Sequence, residues 1–138
     1  MAPTIALKGG KPVFALGLPG GLRIFGSTLQ AIVNLIDHGM TLQEAVEAPR
    51  LWTQGQELEI EDTFPATART GLEARGWKVL SVPHVGGGMT AIEFDKDGTA
   101  TGAACWRADG VAIGLGGGQA RAGTRFWPDA PVVEEEGD

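Results

Sequence analysis

Two adjacent glycines open the run Pro19-Gly20-Gly21-Leu22-Arg23-Ile24-Phe25-Gly26-Ser27, just ahead of an apolar, helix-periodic segment. Glycine has no Cβ, so a reacting group can lie directly against its backbone N–H. A helix that begins a few residues later adds aligned amide dipoles. The combination suits a developing negative charge such as the oxyanion of acyl transfer. Gly20 and Gly21 are therefore the candidate catalytic residues, acting as backbone donors. Pattern alone leaves one alternative open, a glycine-rich turn between a strand and a helix. The run lacks the G-x-G-x-x-G spacing of dinucleotide binders and the Gly-Lys-Ser/Thr of a phosphate loop. No nucleophile stands beside it in any familiar spacing.

The remaining chemical side chains read more plainly. His38 and His84 form no H-x-x-x-H pair, and Cys105 is the single cysteine, so neither a metal site nor a cofactor is expected. Asp95, Asp97 and Gly98 superficially suggest a calcium loop, but position twelve of that loop is Trp106; a hairpin turn fits better. Glu57, Glu59 and Glu61 alternate, which predicts a solvated strand face. Glu44 and Glu47 suit helix capping and solvation. Trp77, Trp106 and Trp127 read as packing residues. Cys105 reads as a small buried residue, with Arg107 the basic neighbour in sequence.

Elements that position these residues follow from periodicity. Strands are predicted over 4–8 and 11–16, joined at Gly9-Gly10, with Pro12 at a strand start or edge. Both are mostly apolar, suggesting a sheet covered on both faces. Leu29, Ile32, Val33 and Ile36 mark a helix, with Ser27 and Gln30 as its capping box and Gly39 as its stop. A second helix starts at Thr41, with Glu44 completing the box, and stops at Pro49. A strand over 57–61 precedes a helix over 64–75, capped by Asp62 or Thr63 and closed by Gly76. Strands follow over 77–82, 89–94, 99–104 and 111–114, with turns at Asp95–Gly98 and Asp109-Gly110. The segment from 119 onward reads as a flexible tail. This order predicts an α+β fold with helices on a mostly antiparallel sheet.

The chain has 138 residues, of which 43% are hydrophobic and 22 are glycine, and a net charge of −6. That length suits one domain. The acidic balance, with 11 scattered basic residues, argues against a nucleic-acid partner. No apolar run approaches the roughly 18 residues of a membrane span, so no membrane partner is expected. Met1-Ala2-Pro3-Thr4 shows no signal segment, and the compartment stays open.

Several strings share an order and spacing: Ala2-Pro3-Thr4-Ile5, Gly17 through Ile24, Leu29-Gln30, Asp37-His38-Gly39-Met40, and Gln43-Glu44-Ala45-Val46-Glu47-Ala48-Pro49-Arg50. Leu58–Glu61, Leu72–Gly76, Asp97-Gly98 and Asp109–Gly114 continue them. Over 2–114 the chain resembles the γ-glutamyltranspeptidase (glutathione hydrolase) family. The resemblance implies an N-terminal-nucleophile hydrolase fold, a four-layer αββα sandwich. It implies a precursor that cleaves itself, exposing a threonine that attacks γ-glutamyl amides such as glutathione. Gly20 and Gly21 would then form the oxyanion hole. The chain would be the C-terminal part of the small subunit (1–118, with 119–138 as tail). Its nucleophile, the substrate-binding serines and the large subunit would all precede residue 1. Thr4 is a poor substitute, being internal and without a free α-amine. Residues 1–138 alone are then expected to be inactive, and to self-associate or to pair with the missing portion. A non-catalytic half-domain and a cephalosporin-acylase-like amidohydrolase are the alternatives. Two departures bear on substrate choice: Leu22 replaces a small or polar residue, and Cys105-Trp106 replaces Asp-Pro.

Overall fold

A computed structural model describes residues 2–114. In chain order they form β1 (Thr4–Lys8), β2 (Lys11–Gly17), α1 (Arg23–Ile36), α2 (Leu42–Glu47), β3 (Leu51–Thr53) and β4 (Leu58–Glu61). Then come α3 (Ala66–Glu73), β5 (Val79–Val82), β6 (Thr90–Phe94), β7 (Ala100–Ala104) and a 3-10 turn at Trp106–Ala108. The expected boundary at 118, the tail and Trp127 lie outside the described residues.

The strands divide into two sheets. One is antiparallel, in the order β1-β2-β6-β7; the other, β3-β4-β5, pairs β4 with β5 in parallel across α3. Gly9 and Gly10, at φ 59° and 77°, make the β1–β2 turn. Pro12 stands at the start of β2, outside the stretch from Phe14 that pairs with β6. Its missing N–H therefore costs no ladder bond there. Phe14 and Leu16 point inward at the period of two and meet Leu18, Ala31, Leu42, Val46, Met89, Ala103 and Cys105 in the core.

Several expectations are corrected. Helix α1 begins a full turn before Ser27, with Leu22 at its N-cap; Ser27 lies buried within the helix and caps nothing. Gln30 instead bridges Gly26 O and Leu51 O, each at 2.8 Å. Of the periodic set, Leu29 and Ile36 are exposed, whereas Ile24, Ala31 and Leu35 pack toward the core. The apolar arc of the helix, opposite the stripe of Arg23, Gln30 and Asn34, is wider than the face it buries, so periodicity alone does not say which part of it turns inward. Neither Asp62 nor Thr63 caps α3, whose N-cap is Pro65; Asp62 accepts from Ser81 Oγ. Strand β3 leaves no pattern in the sequence, because three residues are too few to show a period. Residues 111–114 form no strand: after β7 ends at Ala104 the chain turns through a 3-10 turn at Trp106–Ala108 that closes on Asp109 at φ 47°. The β1 side chains Ile5 and Leu7 are uncovered, so the outer strand is not enclosed on both faces.

The second helix keeps its expected cap. Thr41 Oγ1 accepts from Glu44 N at 3.3 Å while Glu44 Oε2 accepts from Thr41 N at 2.8 Å. Because both arms close, Thr41→Ala is expected to cost about 1 kcal/mol, seen as a lower urea midpoint with an unchanged slope.

Candidate active site

The link between β2 and α1 is built from backbone that only glycine adopts easily. Gly20 has φ 146° and Gly21 φ 59°. Their carbonyls turn inward and accept from Arg23 N and Ile24 N, both at 3.2 Å. The first turn of α1 has no side-chain cap and no acidic residue. Among the described residues no acceptor takes the Gly20 or Gly21 N–H. Two free amides thus stand at the positive end of a 14-residue helix. Gly20 lines a cleft of about 470 Å³ with Pro19, Arg23, His84, Gly86 and Gly87; Gly21 is exposed and does not line it.

A second glycine segment closes one wall. Gly87 N donates to Pro19 O at 3.0 Å. A Cβ on Gly20 would lie 3.1 Å from Gly86 Cα, and one on Gly87 would lie 2.7 Å from Pro19 Cγ. The two loops touch backbone to backbone, which side chains would prevent.

That wall is fixed from beneath by charge. Arg50, buried, donates from Nη1 to Gly87 O at 2.9 Å and Val85 O at 3.4 Å, and from Nη2 to Val46 O at 2.9 Å. Glu61, with no exposed surface, accepts from Val85 N at 2.7 Å, Arg50 N at 2.9 Å and Arg107 Nε at 2.7 Å. A further, very short bond joins Arg107 Nη2 to Glu61 Oε2. Burial, and next the like charge of Arg107, pull the Arg50 guanidinium down to about 10. It remains charged at neutral pH. The network explains why Glu61 belongs to no solvated face, contrary to the alternation in sequence.

The other two carboxylates of that set are also paired. Glu59 receives Arg23 through Nε at 3.0 Å and Nη2 at 2.8 Å, and Arg23 lies 4.3 Å over the Trp52 ring. Glu57 receives Lys78 Nζ at 2.5 Å. Cys105 is buried as expected, but its basic neighbour in space is Arg50, at 3.7 Å from Sγ, with Met89 N at 3.1 Å. Arg107 turns away toward Glu61. Asp95–Gly98 is a hairpin turn, with Gly98 N on Asp95 O at 3.1 Å and Thr99 N on Asp97 Oδ1 at 2.9 Å. His84 reaches the cleft; His38 is exposed at the end of α1. Thr4 sits in β1, opposite Leu16. Trp77 is exposed instead of packed.

The family model for γ-glutamyltranspeptidase matches residues 1–115. The chain is 64% identical over 126 residues to the Acylase ACY 1 proenzyme of Pseudomonas sp. strain SE83, covering 91% of this chain and 23% of that protein. It is 38% identical over 117 residues to the glutathione hydrolase proenzyme of Bacillus subtilis strain 168, covering 83% of this chain and 20% of that protein. The structure of cephalosporin acylase from Bacillus halodurans superposes with a TM-score of 0.77 at 30% identity, over 84% of this chain and 22% of that one. The α+β, mostly antiparallel architecture is thus that of an N-terminal-nucleophile hydrolase. The chain spans less than a quarter of the curated relatives it matches.

The two glycines are expected to respond differently to a methyl group. Gly21→Ala meets open space and carries only the positive-φ strain, about 1–2 kcal/mol. Gly20→Ala adds a collision with Gly86 and should be the more destabilising of the two. Urea midpoints of both variants check this order.

Proposed function

The chain belongs to the γ-glutamyltranspeptidase family, and from that premise we propose that it supplies the oxyanion-binding part of an acyl-transfer enzyme acting on γ-glutamyl amides, glutathione among them. The attacking hydroxyl belongs to a threonine at the N-terminus of a portion not contained in these 138 residues. Its oxygen bonds to the amide carbon, and the carbonyl π electrons move onto oxygen. Gly20 and Gly21 N–H groups donate to that oxyanion. The threonine's free α-amine takes the hydroxyl proton during attack; collapse then re-forms the carbonyl, breaks the C–N bond and expels the amine carrying that proton. Water, or an acceptor amine, then resolves the acyl-enzyme. The observation that carries this reading is the pair of unengaged amides beside the helix N-terminus. The described residues correspond to the C-terminal portion of a small subunit.

The missing portion has a surface to cover. Leu22, Phe25, Leu29 and Ile36 form an exposed stripe on α1, and Ile5 and Leu7 lie bare on the outer strand. Apolar area of this kind favours association. Alone, the chain is expected to self-associate in sedimentation and to leave a chromogenic γ-glutamyl anilide uncut. Turnover by the isolated 138 residues would refute the assignment of the nucleophile. Joined to the nucleophile-bearing portion of a relative, it should become active. Replacing the Gly21 N–H by an ester oxygen should then lower kcat by about 10²–10³.

A second reading, an acylase that removes a different acyl group, is favoured by the 64% identity to Acylase ACY 1 against 38% to the glutathione hydrolase. Competing γ-glutamyl and glutaryl anilides on the joined enzyme decides between them: preference in kcat/KM for the glutaryl compound supports the acylase.

A further inference from the structure

Gly20 N–H shares its peptide plane with the Pro19 carbonyl. In a trans peptide the two point in opposite directions. Whatever holds Pro19 O therefore aims Gly20 N–H, and Gly87 N is what holds it, at 3.0 Å. The segment that presents Gly87 N is in turn gripped on its own polar groups. Arg50 Nη1 takes Val85 O and Gly87 O, and Glu61 Oε1 takes Val85 N at 2.7 Å. We propose that Arg50 and Glu61 are positioning residues for the oxyanion amide: through the Val85–Gly87 segment they set the direction of the Gly20 N–H in the cleft. This rests on the reading of Gly20 and Gly21 as oxyanion donors.

The links on Glu61 and Arg50 lie beneath the cleft wall: those to Val85 are buried and that to Gly87 O is part-buried. Arg50 and Glu61 are among the few buried charged residues of the described chain, and neither touches the cleft itself. A planar guanidinium fork can hold Val46 O on one arm and the loop carbonyls on the other, fixing the loop against α2. Lysine has one nitrogen for the same task. The bare glycines make the coupling stiff, because Gly87 and Pro19 are already at contact distance. An oxyanion donor loses its value steeply when its direction is wrong. A substrate bound mainly elsewhere would feel little of that change, so the effect falls on kcat and not on KM.

The test uses the chain in place of the matching 126 residues of the Acylase ACY 1 proenzyme. Active sites are counted by titration with an acylating inhibitor, so that only folded enzyme contributes. Gly87→Ala displaces Pro19 with the charges intact, Arg50→Lys removes the fork, and Glu61→Gln removes the charge on an unchanged shape. Each is expected to lower kcat per titrated site at least about tenfold, with KM within about threefold. Affinity for a boronate mimic of the tetrahedral intermediate should fall in parallel. The Gly21 ester separates the two levels. If it leaves boronate affinity unchanged, the oxyanion reading fails. If it weakens boronate binding while the three variants keep kcat per site, the positioning role fails. Loss of every titratable site in Glu61→Gln would also overturn the proposal, making the network a requirement of folding alone.

Discussion

The Glu61 carboxylate, shut away from solvent between Arg50 and Arg107, is the interaction on which the arrangement depends. It draws together β4, the end of α2, the segment after β5 and the turn after β7. Isolated buried charges are costly, and a buried carboxylate is tolerated only when its lone pairs are filled. Here they are filled by one guanidinium group, that of Arg107 through Nε and Nη2, and by two backbone amides, those of Arg50 and Val85. Arg107 in turn spends Nη2 on Ala48 O at 2.9 Å, and Arg50 spends its donors on Val46, Val85 and Gly87. Such a set is stable as a whole and poor in any part, which gives it one geometry.

That single geometry reaches the cleft through glycine. Gly86 and Gly87 lie against Pro19 and Gly20 closer than side chains permit. The contact transmits position because it is main chain on main chain, with no rotamer to absorb a shift. The charged network of Arg50, Glu61 and Arg107 thus lies beneath the glycine segment of the cleft wall and does not line the cleft itself.

How much of this was legible in the sequence follows from range. The capping box at Thr41, the Gly9-Gly10 turn, the hairpin at Asp95–Gly98 and most strands are written in adjacent residues, and the structure has them. The glycine pair was legible for the same reason, its conformational freedom being local. The partners of Glu59 and Glu61 were not, because Arg23 and Arg107 stand 36 and 46 residues away. Alternation suggested a wet face, whereas burial of both Ile60 and Glu61 departs from it. That exception is visible only once β4 lies between β3 and β5. Ser27 and Gln30 match a cap by residue type, but the Gly20 and Gly21 carbonyls already begin the first turn of α1.

The full charge that lines the cleft among the described residues, Arg23, is compensated, and this bears on what the site rewards. Arg23 lines the cleft but is held by both oxygens of Glu59 and stacked on Trp52. A bare guanidinium there would attract any anion, including a resting carboxylate, and such uniform attraction does not accelerate a reaction. With Arg23 neutralised, the positive potential left beside Gly20 comes from amide dipoles and the start of α1. Dipoles held in place gain most from charge that appears close to them and in line with their N–H bonds. A neutral amide carbonyl gains little from them; the oxyanion that replaces it gains more. On the proposed role of Gly20 and Gly21, the ion pair at Arg23 and these amides act in the same sense, quieting attraction for the ground state and keeping it for the transition state.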